Sequence, residues 1–115
     1  PKDNTPGCTK EACNLRDNYE LLTEKGFAIL GVSKDSEKSH QNFIKKYDLP
    51  FALLADTELD ILKKYKIWGE KSMYGRTYEG IYRTTYVIDE AGKIEHVIEK
   101  VKTTDHTEQI LALYQ

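Results

Sequence analysis

Only two of the 115 residues are cysteine, three are proline, and methionine and tryptophan occur once each. Charge of one sign is also missing: 17 Lys and Arg stand against 19 Asp and Glu, a net charge of −2. That balance excludes the basic footprint of a nucleic-acid binder and a polybasic membrane surface. Apolar runs are short, Phe27-Ala28-Ile29-Leu30 being typical, so no segment is expected to span a membrane. The three histidines, His40, His96 and His106, are scattered singly, and Cys8 and Cys13 make a loose Cys-x4-Cys pair. Structural zinc wants four ligands in paired short spacings, so neither a metal nor another cofactor is expected. Each histidine reads as a solvated surface residue. There is no internal repeat and no low-complexity segment. No signal peptide is visible in the residues from Pro1 onward. With 39% hydrophobic and 31% charged residues, the chain reads as one globular domain, 1–115.

The proline and glycine that are present are concentrated where they matter. Pro6-Gly7 lies directly before Cys8, and the run from Thr9 to Lys25 then holds neither residue. The pair reads as a turn and the run as a helix. Cys8 is thereby placed in the first turn of that helix, where free backbone N–H groups and the positive end of the dipole favour an anion. A thiol so placed has a lowered pKa and is partly thiolate at neutral pH. Thr5 stands three residues earlier and can aim its hydroxyl at the sulfur; Glu11 is read into the same first turn.

The spacing of the two cysteines adds a second argument. Five residues apart on a regular helix, their Cα atoms would lie about 8–9 Å apart and point about 140° apart around the axis. A disulfide needs Cα atoms within about 7 Å and facing Cβ vectors. The two either never bond or bond only when the helix opens, which suits a redox switch better than a staple. Cys13 alone, mid-helix, would equally suit an inert buried residue. Reactive thiols of this kind fit a reducing, cytoplasmic compartment.

Downstream, Phe27–Ser33 reads as a buried strand and Ser36 as the N-cap of a helix to about Tyr47, which Leu49-Pro50 stops. Phe51–Ala55 reads as a short buried strand, and Asp56 or Thr57 as the cap of a helix to Tyr65. Trp68–Gly80 reads as a loop. Thr84–Asp89 and Ile94–Val101 read as strands joined by a hairpin turn at Glu90–Lys93, before a helix from Asp105 to Tyr114 that faces Ile110 and Leu111 to the core. The alternation argues an α/β fold with an antiparallel edge. Trp68, Met73, Tyr74 and Tyr78 are expected to pack in a core or loop rather than to line a binding surface. Lys63-Lys64 reads as a solvated helix face.

The string Pro1-Lys2-Asp3-Asn4-Thr5-Pro6-Gly7-Cys8-Thr9 with Cys13 resembles the active-site signature of the peroxiredoxins, in particular the PrxQ (bacterioferritin comigratory protein) branch. The similarity continues through Arg16-Asp17-Asn18, Gly31-Val32-Ser33, Leu49-Pro50-Phe51, Leu54-Ala55-Asp56, Trp68-Gly69-Glu70-Lys71, Met73-Tyr74-Gly75 and Arg83-Thr84-Thr85-Tyr86-Val87-Ile88-Asp89. The resemblance implies a thioredoxin-like fold with a central mixed sheet. It also implies a thiol peroxidase acting on hydrogen peroxide or alkyl hydroperoxides. In that reading Cys8 is the peroxidatic and Cys13 the resolving cysteine. Thr5 and the N–H groups of Gly7 and Cys8 serve the peroxide oxygens, Pro1 shields the pocket, and Arg83 lies over the sulfur. By sequence alone Arg83 would pass for an ordinary surface arginine. The reductant implied is thioredoxin or a similar dithiol, and the state a monomer. The family also carries strands before the active-site proline. Roughly 35–40 residues are therefore expected to be absent here, leaving the sheet without its middle. Two other readings stand beside this one. A dithiol oxidoreductase acting on protein disulfides would more ordinarily carry Cys-x-x-Cys. A non-enzymatic redox sensor would use the Cys8–Cys13 bond as its switch.

Overall fold

The computed structural model describes residues 1–114, without the side chain of Met73. Helix α1 spans Pro6–Asp17. Its N-cap, Thr5, is extended (φ −85°, ψ 153°), and Pro6 occupies the first helical position, where proline loses no hydrogen bond. The single helix expected over Thr9–Lys25 is instead two. Asn18 leaves the helical path, and its Nδ2 donates to the Asn14 carbonyl at 2.8 Å, beside its own backbone N–H at 3.2 Å. A short amide side chain competing for a helix carbonyl favours a break. Helix α2, Tyr19–Glu24, follows at once.

Strand β1, Leu30–Ser33, runs parallel to β2, Ala52–Ala55, with Leu30 opposite Ala52 and Ser33 opposite Ala55. Between them lies α3, Glu37–Tyr47, capped as expected by Ser36, whose Oγ accepts from the Ser39 N–H at 3.1 Å. Helix α4 is one short piece, Asp60–Lys64, rather than a helix from Asp56. Asp56 still serves it from a distance, its Oδ2 accepting from the Leu62 N–H at 2.8 Å. Both strands were expected to be buried, but Leu30, Ala52 and Leu54 are exposed. Among the described residues β1 has a partner strand on one side only.

The expected loop over Trp68–Gly80 is a β-hairpin, β3 (Trp68–Met73) paired antiparallel with β4 (Arg76–Ile81). Its two-residue turn holds Tyr74 at φ 53° and Gly75 at φ 78°, the double positive φ of a type I′ turn. Tyrosine is an unusual first residue for that turn, so the hairpin carried no short-range signal. Strands β5 (Thr85–Ile88) and β6 (Ile94–Ile98) pair antiparallel as expected, with Asp89 Oδ1 accepting from the Ala91 and Lys93 N–H groups in the turn. Helix α5, His106–Ala112, closes the chain with Ile110 buried and Leu111 half-buried.

The core joins α1 to α3: Ala12, Phe43, Leu49 and Phe51 pack together, with Leu15, Tyr19, Ile29 and Ile44 around them. Among the described residues the strands form three two-stranded sheets. A cleft of about 810 Å³ separates β1 from β5, lined by Leu30, Val32, Val87 and Ile88 and reaching Cys8 and Arg83 at one end. No helix among the described residues is long and apolar enough to cross a membrane.

Candidate active site

Cys8 is the third residue of α1. The helix's first backbone bond is Thr9 N–H to Thr5 C=O at 2.9 Å, so the N–H groups of Gly7 and Cys8 precede the internal ladder and point out of the helix start. The Pro1–Thr5 segment folds back over that end. The Lys2 N–H donates to Cys8 Sγ at 3.3 Å, and Arg83 Nη2 donates to the same sulfur at 3.3 Å.

The Cys8 thiol is held below its ordinary pKa. Burial is the largest single influence and opposes ionisation. Against it, the Lys2 N–H and the Thr5 hydroxyl both donate to the sulfur and favour the thiolate. The Thr5 hydroxyl also reaches the Lys2 carbonyl at 2.8 Å, and its one proton serves either that oxygen or the sulfur.

Arg83 sits between β4 and β5 and is brought to Cys8 across 75 residues of sequence. Its Nη1 lies 3.5 Å from Glu11 Oε2, yet it is buried and has no hydrogen-bond partner among the described residues. Glu11 is thus not a first-turn carboxylate, as its sequence position suggested; it lies a turn further in and faces the guanidinium. Gly7 makes the approach possible. A Cβ there would stand 2.9 Å from Arg83 Nη2. Pro1, half-buried, lines the same end of the cleft as Cys8, Glu11 and Arg83.

Cys13 is half-buried and, like Cys8, a free thiol. Both lie within the unbroken span of α1, which keeps them on different faces. The flanks of Cys13 are well anchored. The Asn14 side chain donates to the Thr104 carbonyl and accepts from the Thr107 N–H, both at 2.8 Å, and so caps α5 from another helix. Arg16 Nη1 donates to the Tyr47 carbonyl at 2.8 Å.

Two of the three histidines are not solvated. His40 is 3% exposed and His106 1%. His106 Nε2 pairs with Thr85 Oγ1 at 2.8 Å and Nδ1 with Gln109 Oε1 at 3.0 Å, a satisfied core position. His40 meets Asp3 Oδ2 through Nδ1 at 2.8 Å. Asp3, Asp35 and His40 have ligand atoms within 4.8 Å of one another, the one grouping of metal-ligating types among the described residues; they are hydrogen-bonded among themselves and to Ser33 and Ser39. Sequence reading missed this network because Asp3, which joins it to the active-site loop, lies 32 residues from Asp35 and 37 from His40. His96 is half-buried against the Tyr114 ring. Of the aromatics expected to pack, Trp68 lies under Lys34 Nζ, but Tyr74 is 98% exposed at the hairpin turn and Tyr78 is exposed on β4. The expectation for Met73 lies outside the described side chains. Lys63 and Lys64 are exposed, as expected.

The AhpC/TSA family model matches residues 1–97, and peroxiredoxin Bcp of Escherichia coli K12 is 44% identical over 111 residues. This chain belongs to the peroxiredoxins. The match to the E. coli protein takes in 96% of this chain and 71% of that protein. Among solved structures, the Xanthomonas campestris bacterioferritin comigratory protein, studied as trapped intermediate and ligand complexes for its alkyl peroxide reduction, superposes with a TM-score of 0.90. It is 36% identical, over 98% of this chain and 72% of that one. PrxQ of Xylella fastidiosa, as a cysteine-to-serine mutant, gives a TM-score of 0.91 at 33% identity, over 99% and 70%. The α/β arrangement is therefore the thioredoxin-like fold of PrxQ-type peroxiredoxins, and this peroxiredoxin is a peroxidase, an oxidoreductase.

Proposed function

We propose that this peroxiredoxin reduces hydrogen peroxide and organic hydroperoxides through Cys8, with Cys13 resolving the product. The reading is carried by the Cys8 sulfur, which two donors reach at 3.3 Å and whose pKa is lowered despite burial. The thiolate attacks the terminal peroxide oxygen. A sulfur–oxygen bond forms, the O–O bond breaks, and the departing alkoxide or hydroxide takes up a proton. Sulfur is oxidised to sulfenic acid and the peroxide is reduced. The transition state spreads negative charge over both oxygens. The free N–H groups of Gly7 and Cys8 and the unused N–H groups of Arg83 Nη1 are the donors for it, with Thr5 beside them and Pro1 limiting access by water.

The sulfenic acid then condenses with the Cys13 thiol. A disulfide forms and water leaves. Because α1 holds the two apart, this step requires the helix to open. A dithiol reductant, thioredoxin in the reading supported by the family resemblance, breaks the disulfide by exchange and leaves oxidised itself. The chain works as a single domain and a monomer, in a reducing cytoplasmic compartment where such thiols stay available.

Two substitutions test the assignment. Cys8→Ser should abolish peroxide consumption. Cys13→Ser should permit one oxidation that stalls at sulfenic acid, detected by mass and by trapping with a carbon nucleophile. Turnover by Cys8→Ser would end the reading. Thioredoxin with its reductase should sustain turnover in the parent protein, and failure with every dithiol offered would remove the recycling half.

A further inference from the structure

The mechanism leaves one buried polar pair unused, Asp3 and His40. We propose that Asp3 and His40 are a positioning pair that holds the Pro1–Thr5 loop against α1 and so aims the Lys2 N–H at the Cys8 sulfur. Lys2 is exposed and its neighbour Asn4 adopts φ 60°, so little in the loop itself defines the direction of that N–H. The anchor is the residue between them. Asp3 Oδ2 accepts from Ser39 Oγ at 2.8 Å and faces His40 Nδ1 at 2.8 Å, with both side chains of the pair under a tenth exposed. The Asp3 N–H donates to Asp35 Oδ2 at 2.8 Å, and Asp35 Oδ2 also accepts from Ser33 Oγ at 2.8 Å.

Both ring nitrogens of His40 face acceptors, Nδ1 the Asp3 carboxylate and Nε2 the Leu54 carbonyl at 3.0 Å. One ring thereby bridges two acceptors on different elements. The charged groups around it are Asp3 from the loop and Asp35 from the turn after β1; Ser33 Oγ, at 3.4 Å, is neutral. The ring thus ties the loop on one side to β2 on the other, and a charge-assisted bond in a buried place holds its geometry firmly. Through Asp3, the direction of the Lys2 N–H is set by residues that never touch sulfur or peroxide.

The inference rests on Cys8 being the peroxide-reactive thiol, and the test separates the two. All variants are made in the Cys13→Ser protein, so that Cys8 is the single thiol. Its ultraviolet thiolate absorbance is followed against pH and its peroxide rate constant by stopped flow. His40→Gln keeps a donor near the Leu54 carbonyl and loses the one to Asp3; His40→Asn does the reverse. His40→Gln should raise the Cys8 pKa and slow peroxide reaction about tenfold, and His40→Asn should recover most of both. If His40→Gln does not fold, Asp3→Asn, which preserves volume and removes the charge, should raise the pKa in the same direction. A pKa and rate equal to the parent's in Asp3→Asn and in folded His40→Gln, with only the melting temperature lowered, overturn the proposal. So does a His40→Asn protein as slow as His40→Gln, since the ring would then serve β2 rather than the loop. The reading of Cys8 itself fails by a different result, peroxide reaction in Cys8→Ser.

Discussion

The two halves of α1 carry one cysteine each, and they are held in opposite ways. At the N-terminal end, Cys8 is touched directly: Lys2 and Arg83 donate to its sulfur, while the helix around it is capped by a Thr5 whose side chain makes no cap bond. At the C-terminal end no hydrogen bond reaches the Cys13 sulfur among the described residues, but the backbone around it is anchored by Asn14 on α5, Arg16 on Tyr47, and Ala12 and Leu15 in the core. One half invests in the sulfur, the other in the scaffold. In the proposed resolving step, helix opening is therefore easier at the Cys8 end. The second half gives way only if contacts to α5 and to the end of α3 are released. A helix with few tertiary contacts would open without that restriction.

The contrast is broken most severely at Arg83. Arg83→Ala should slow peroxide reaction at least tenfold, about 1.4 kcal/mol of transition-state stabilisation, with little change in melting temperature. Unchanged kinetics and a large loss of stability would make Arg83 a structural residue instead. Next comes Asn14→Ala. It leaves the Thr107 N–H and the Thr104 carbonyl without their partner and should lower stability by about 1–2 kcal/mol, read by denaturant melts. The same change should speed Cys8–Cys13 disulfide formation after a peroxide pulse, because opening of the second half no longer breaks the tie to α5. In the unaltered protein, amide exchange should show α1 losing protection on oxidation. If the loss passes beyond Cys13, the amides of His106 and Thr107 should lose it too; protection unchanged across Thr9–Asn18 would refute the opening altogether. The smallest effect belongs to Gly7→Ala. The added methyl displaces the end of a flexible guanidinium, so peroxide reaction should slow about threefold, under 1 kcal/mol, with the fold intact. Combined with Arg83→Ala, Gly7→Ala should add nothing further, since its effect runs through that side chain.

Local chemistry was legible in the chain wherever neighbours decide it. Ser36 announces the cap of α3 and Glu90 to Lys93 announces a hairpin turn, both within reach of a few residues, whereas Pro6-Gly7, read as a turn, forms the first two residues of α1. The hairpin β3–β4 escaped because Tyr74 carries none of the usual turn signature, although pairing makes it adopt positive φ. The division of the first helix escaped because the competition of Asn18 for the Asn14 carbonyl is one hydrogen bond among many, with no pattern around it.

The sequence by itself determined which thiol stands at a helix start, that the second cysteine lies five residues along the same helix, and an α/β alternation that ends in an antiparallel hairpin. These depend on interactions between residues a turn or two apart, which composition and spacing express directly. Tertiary structure alone decided what surrounds the sulfur and what restrains the helix. Arg83 reaches Cys8 across 75 residues, His40 meets Asp3 across 37, and Asn14 caps α5 across 93. None of those pairs is favoured by local propensity. Each exists because the packed core of α1, α3 and the strands brings distant polar groups out of water together, where a buried donor or acceptor must find whichever partner the fold puts beside it.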